Sequence, residues 1–173
     1  QEIPEKKEYT VLPEDMYQVV IEDINLHERD TWDNPNEKED VLKFKYRVVE
    51  EGDYLNRIIF QEVRPIISAG SDKGQASWLY EIYKAAMKQE PTKDQMSDGL
   101  TATEINNLVG KQVRLSVKGK MSQKGNLYNK VDGVLFAKQE LGNVTINPPV
   151  EDERAQKLAE ANEIFGQHGE TLN

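Results

Sequence analysis

The segment VLKFKYRVV (41–49) alternates almost without exception. Leu42, Phe44, Tyr46 and Val48 fall on one side, and Lys43, Lys45, Arg47 and Val49 on the other. Successive side chains of an extended strand point to opposite faces, so this is a strand with one buried face. The turn EEGD (50–53) follows, and YLNRIIFQEV (54–63) reads as the hairpin partner. In that reading Ile58 and Phe60 point inward, and Arg57, Ile59 and Gln61 point outward. Two strands are marginal alone in water, so the rest of the chain must cover this apolar side.

Three further strands meet that need. MYQVVIEDI (16–24) alternates Tyr17, Val19 and Ile21 against Gln18, Val20 and Glu22, and the polar stretch 25–40, with its Asp33-Asn34-Pro35-Asn36 turn, reads as a long loop. KQVRLSVKGK (111–120) alternates Val113, Leu115 and Val117 against Gln112, Arg114, Ser116 and Lys118. A turn around Lys124-Gly125-Asn126 leads back into LYNKVDGVLFA (127–137). Between the hairpins, ASWLYEIYKAAMKQ (76–89) spaces Trp78, Leu79, Ile82, Tyr83 and Ala86 as a helical stripe. Thr101-x-x-Glu104 opens a short second helix that Gly110 ends. Phe44, Trp78 and Tyr83 are expected in the core. Five short strands with a helix between the third and fourth match the five-stranded Greek-key barrel called the OB-fold. Closing a sheet into a barrel also removes the exposed edges of strands this short.

The ends read differently. Residues 1–8 are polar and charged and are expected to be a disordered head, the barrel domain spans 9–138, and 139–173 forms an acidic tail. Within the tail, 150–165 is helix-forming, with a thin stripe of Leu158, Ala161 and Phe165. The chain has no cysteine and no apolar run near the ~18 residues of a membrane span. No signal segment opens it, and Gln1 at the start points to a trimmed or processed end. A soluble protein of the cytoplasm, with no membrane contact, is the expectation.

Charge is the second constraint. The formal net charge is −9, yet residues 111–138 carry +6, and residues 114–131 contain no acidic side chain at all. The first forty residues carry −9 and the tail −5. An acidic average argues against polyanion partners, but a ligand meets the local field.

The stretches LPEDMYQVVIED, LKFKYRVVEEGDYLNRIIF, LVGKQVRLSVK and GNLYNKV, in this order and spacing, resemble the phage family of single-stranded-DNA-binding-like proteins. The likeness runs from about residue 9 to 138. It implies an OB-fold accessory of phage DNA replication or recombination, without enzymatic activity. It further implies a binding surface on the second and third strands, 41–64, flanked by the loops at 25–40 and 119–127. The strongly negative first forty residues depart from what a general polyanion binder needs.

Binding a single strand without reading its sequence takes cations along a groove and flat rings for the bases to stack on. The cation candidates are Lys43, Lys45, Arg47 and Arg57 from the first hairpin, and Arg114, Lys118, Lys120, Lys124 and Lys130 from the second. The ring candidates are Trp32 in the first loop and Tyr128 beside the second turn. Alternating Lys and Arg on a strand is more often a solvated face, and Tyr128 could equally pack on the barrel end. The uninterrupted hairpin cluster is the stronger signal. An acidic tail tethered beside such a groove competes with nucleic acid for it, and its Leu158–Phe165 face offers a contact for replication or recombination proteins. Homo-oligomerisation is left open.

Catalysis finds little support. His27 and His168 are the only histidines, so no specific Ser-His-Asp set can be drawn. Asp30, Asp33 and Glu37 lack the glycine and terminal Glu of a calcium loop, and GSDKGQAS lacks the Gly-Lys-Ser/Thr of a phosphate loop. No metal or cofactor is expected. The alternative to DNA binding is an OB-like module for a protein or carbohydrate, as a structural or accessory phage component, with the basic hairpin merely solvated.

Overall fold

The structure, a computed structural model, describes residues 11–142 apart from 32 and 73. The head, Trp32 and the helix expected at 150–165 therefore lie outside the described residues. Five strands, β1 (Asp15–Asp30), β2 (Lys38–Val48), β3 (Ile58–Val63), β4 (Gln112–Met121) and β5 (Leu127–Phe136), form one sheet. Three short helices, α1 (Trp78–Met87), α2 (Lys93–Asp98) and α3 (Ala102–Asn106), lie between β3 and β4. The strand order is β3-β2-β1-β4-β5 and every pairing is antiparallel. The two outermost strands of that order, β3 and β5, approach each other, so the sheet curls into a barrel-like shape.

The concave side holds the core. Val19, Ile21 and Ile24 of β1 meet Leu42, Phe44 and Tyr46 of β2 and Val113, Leu115 and Val117 of β4, all buried. Phe44 and Tyr46 stack with centroids 5.9 Å apart. The Tyr46 hydroxyl donates to Gln61 Oε1 at 2.8 Å, and both side chains are buried. Burial pushes the Tyr46 phenol far above its ordinary value. Helix α1 starts at Ser77, whose hydroxyl accepts from the Tyr80 N–H, and lays Leu79, Ile82, Tyr83 and Ala86 into the core against β4 and β5. Thr101 and Glu104 close the capping box that starts α3, and Gly110 turns the chain into β4 at φ +91°. Among the described residues no helix is long and apolar enough to cross a membrane.

Four local expectations change. First, β1 is longer than its alternation suggests. Residues 25–30, expected in a loop, pair with β2 out to Asp30↔Lys38. Cross-strand charge pairs replace apolar alternation there: Arg29 Nε meets Glu39 at 2.8 Å, and Lys38 bonds Asp30. The connection shrinks to 31–37.

Second, β3 faces the other way. Ile59, Gln61 and Val63 are buried, while Ile58 is 36% and Phe60 51% exposed. The segment IIFQEV carries apolar residues on both sides, so alternation alone cannot choose its face. The turn chooses, because register decides which side points inward. The connection runs over 49–57, with Asn56 in the left-handed region at φ +69° and its N–H bonded to the Val48 carbonyl. That geometry sets Arg47 opposite Ile58 and Tyr46 opposite Ile59.

Third, Thr92 and Gln95 form a second capping box and start α2, which the helical stripe did not reveal. Fourth, Trp78 is 36% exposed at the first position of α1 rather than in the core.

Candidate nucleic-acid interface

The outward side of β2 and β3 gathers the first group of predicted cations. Lys43, Lys45 and Arg47 face outward, half-buried, between strands β1 and β3. Their partners across β3 are Glu62, Phe60 and Ile58 in turn. The Lys43 ammonium sits 4.7 Å from the centroid of the Phe60 ring. A cation over an aromatic face is attracted by the ring quadrupole, and here it leaves much of that ring open to solvent. The reversed face of β3 thus puts an exposed ring and an exposed isoleucine among the cations. Sequence reasoning missed Phe60. Its signal was present as the second apolar residue set of IIFQEV.

Carboxylates share this surface. β1 and β2 change register between Ile21 and Asp23, so Glu22 is the extra residue of a β-bulge. A bulge re-aims the residue it adds. Glu22 reaches Arg47 Nε at 3.5 Å and Lys45 Nζ at 3.8 Å. Arg47 also donates to Asn56 Oδ1 at 3.3 Å. At the far end, Glu62 lies 3.7 Å from Arg29 and 3.9 Å from His27, and Glu39 lies 3.2 Å from Arg64. Val41, opposite His27 in the register, is fully buried there although it lies on the outward side. This end is a charge-paired cover, and the Lys43–Phe60 end is the open part of the surface.

Arg57 does not join that row. It precedes β3, and its carbonyl accepts from the Val48 N–H. It lies near Tyr17, whose phenol is raised mainly by burial, with Asp15, Tyr54 and Glu50 adding to the rise and Arg57 opposing it. The Tyr17 hydroxyl donates to the Pro13 carbonyl at 2.6 Å.

The second group lies on β4 and β5, on the other side of β1. Pairing with β1 ends at Asp15↔Val117. From Lys118↔Lys130 through Lys120↔Tyr128 to Met121↔Leu127, β4 and β5 pair only with each other. They form a two-stranded arm beyond β1. Lys118, Lys120, Lys124, Tyr128 and Lys130 are all exposed on it. Lys118 is bonded to Asp132 at 3.3 Å, and Gly125 closes the tip at φ +84°. Like charges face each other at Lys118 and Lys130, which disfavours the pair unless an anion lies between or beside them. Arg114 is set back from the arm, and its Nε donates to the Phe136 carbonyl at 3.1 Å. Met121 and Leu127, 65% and 58% exposed, add an apolar tip that was not predicted.

The chain leaves β5 across the outward side of β1 and β4. Gln18 Nε2 donates to Gln112 Oε1 at 2.7 Å and to the Gln139 carbonyl at 2.6 Å. Gln112 Nε2 in turn donates to the Leu141 carbonyl, and its Oε1 accepts from the Leu141 N–H. These bonds satisfy the buried amides of Gln18 and Gln112. The register thus holds the two cation groups on either side of β1, with Gln139 bonded to Gln18 of β1 and Leu141 to Gln112 of β4. Among the described residues no cluster of three or more His, Cys, Asp or Glu could hold a metal.

Comparison with protein-family models and with curated proteins found no match for this chain.

Proposed function

We propose that this protein binds single-stranded DNA without catalysis, as an OB-type accessory of phage DNA replication or recombination. The observation that carries the reading is the outward face of β2 and β3. There an exposed Phe60 ring lies under the Lys43 ammonium, with Lys45 and Arg47 along the same strand. A base stacks on the ring while consecutive phosphates run along the cations. The strand order, with β3 near β5, is the one a Greek-key OB barrel requires, and it supports that assignment. The β4–β5 arm offers Lys120, Lys124 and Tyr128 as a second contact for the same strand.

The carboxylates of Glu22 and Glu62 and the exposed Ile58 and Ile66 favour a second reading, an interface for another protein. A titration of the whole chain with labelled oligo-dT at low and moderate salt separates the two. DNA binding predicts saturable affinity that falls linearly in log–log form with salt. No binding at the lower salt overturns the reading and leaves the protein interface.

A further inference from the structure

Glu22 is an unusual residue to find in the middle of a cationic row. The bulge between Ile21 and Asp23 turns it outward onto Lys45 and Arg47, 3.8 and 3.5 Å away. Glu22 Oε2 and Arg47 Nε are both shielded from solvent, and neither has a hydrogen-bond partner. The contact therefore supplies charge but no bond to either atom. Leaving a shielded donor and acceptor unbonded is costly, and the attraction between the two charges offsets part of that cost. A phosphate would offer what this carboxylate lacks, since its tetrahedral oxygens can accept from the guanidinium and the ammonium together.

We propose that Glu22 is an internal competitor for phosphate at Lys45 and Arg47, and that it sets the affinity and ligand selectivity of this face. The proposal rests on the single-stranded-DNA reading above. With Glu22 in place, an isolated anion must displace a carboxylate already held by two cations. A strand that also stacks a base on Phe60 and engages Lys43 has other contacts to offset that displacement. Glu22 thereby rejects short or lone anions and admits a polynucleotide. The residue touches neither base nor sugar in this scheme. It acts by occupying the phosphate site.

The test is a set of oligo-dT titrations across salt with the wild-type chain, Glu22→Gln, Glu22→Asp and the control Asp98→Asn. The control makes the same change of net charge at an exposed position on α2. Glu22→Gln relieves Lys45 and Arg47 of that carboxylate, so it should bind about tenfold tighter at low salt and steepen the log–log salt slope by ~0.7 to 1.4. Adding Lys45→Ala and Arg47→Ala to Glu22→Gln should abolish both gains. Glu22→Asp and Asp98→Asn should stay near wild type in slope. A merely structural role for Glu22 would alter the melting temperature and leave the slope unchanged. Wild type that binds with Glu22→Gln no tighter and no steeper overturns this inference and leaves the functional reading standing. Failure of both proteins to bind overturns the functional reading and this inference together. Binding by Glu22→Gln alone overturns the functional reading for the natural chain, and this inference with it, because Glu22 then does not admit a polynucleotide.

Discussion

Replacing Phe60 with alanine tests the interface at its centre. The ring is 51% exposed on the outward side of β3, and the Lys43 ammonium lies 4.7 Å from its centroid. Half of its surface is already in water, so truncation forfeits about half of the ~1.5–3 kcal/mol that full burial of such a side chain brings. Loss of the exposed cation–π contact adds ~0.5–1 kcal/mol. Together these amount to ~1.3–2.5 kcal/mol, a fall of several degrees in melting temperature that leaves the protein folded at room temperature. Phe44 is the contrast. It lies on the inward side of β2 with no exposure, and truncation there should cost ~3–5 kcal/mol. For binding, a lost stacking platform costs ~1–3 kcal/mol per base, a rise in Kd of about 5- to 150-fold. The salt slope should hold, because no phosphate contact is removed. The assay is fluorescence anisotropy with a labelled oligo-dT, run beside circular dichroism to show that the variant is folded. A folded Phe60→Ala variant whose Kd stays within about twofold of wild type refutes the stacking role, because the smallest expected loss exceeds that.

The arm is probed by Lys120→Ala, which should lower the log–log salt slope by ~0.7, whereas Lys118→Ala should lower it less because Asp132 already holds that ammonium; equal slopes for all three proteins would remove the arm from the interface. Tyr46→Phe should destabilise the fold by ~1–3 kcal/mol in urea melts, since it strands Gln61 Oε1 in the core, and adding Gln61→Leu should recover much of the loss. Burial works against ionisation of Glu104, but hydrogen bonds from Gln95 and Thr101 outweigh it and hold the carboxyl below its ordinary 4.5. Its stabilising contribution is therefore complete above pH 4.5 and lost as pH falls through the lower folded value. Melts of Glu104→Gln should then show a stability deficit at neutral pH that narrows in acid, and a deficit independent of pH would contradict the assignment.

Much of the fold was legible because it depends on local period and turn chemistry. The alternation of 41–49 and 111–120 marked β2 and β4 with their correct inward faces, since only one side of each is apolar. Capping residues marked the start of α3, and the stripe of Leu79, Ile82, Tyr83 and Ala86 marked α1. The cationic hairpin was equally legible, because sequence neighbours on a hairpin remain neighbours in space. The rest depended on partners distant in sequence. β3 has two apolar sides, and only its register against β2 decided that Phe60 would meet water and Gln61 would meet Tyr46. The outer part of β1 carries no apolar period, and only the opposing charges of β2 made it a strand. Glu22 reads in the sequence as one more polar residue of a strand. The mismatch of β1 and β2 by one residue turned it onto Lys45 and Arg47, because a bulge is a property of two paired strands and not of either alone.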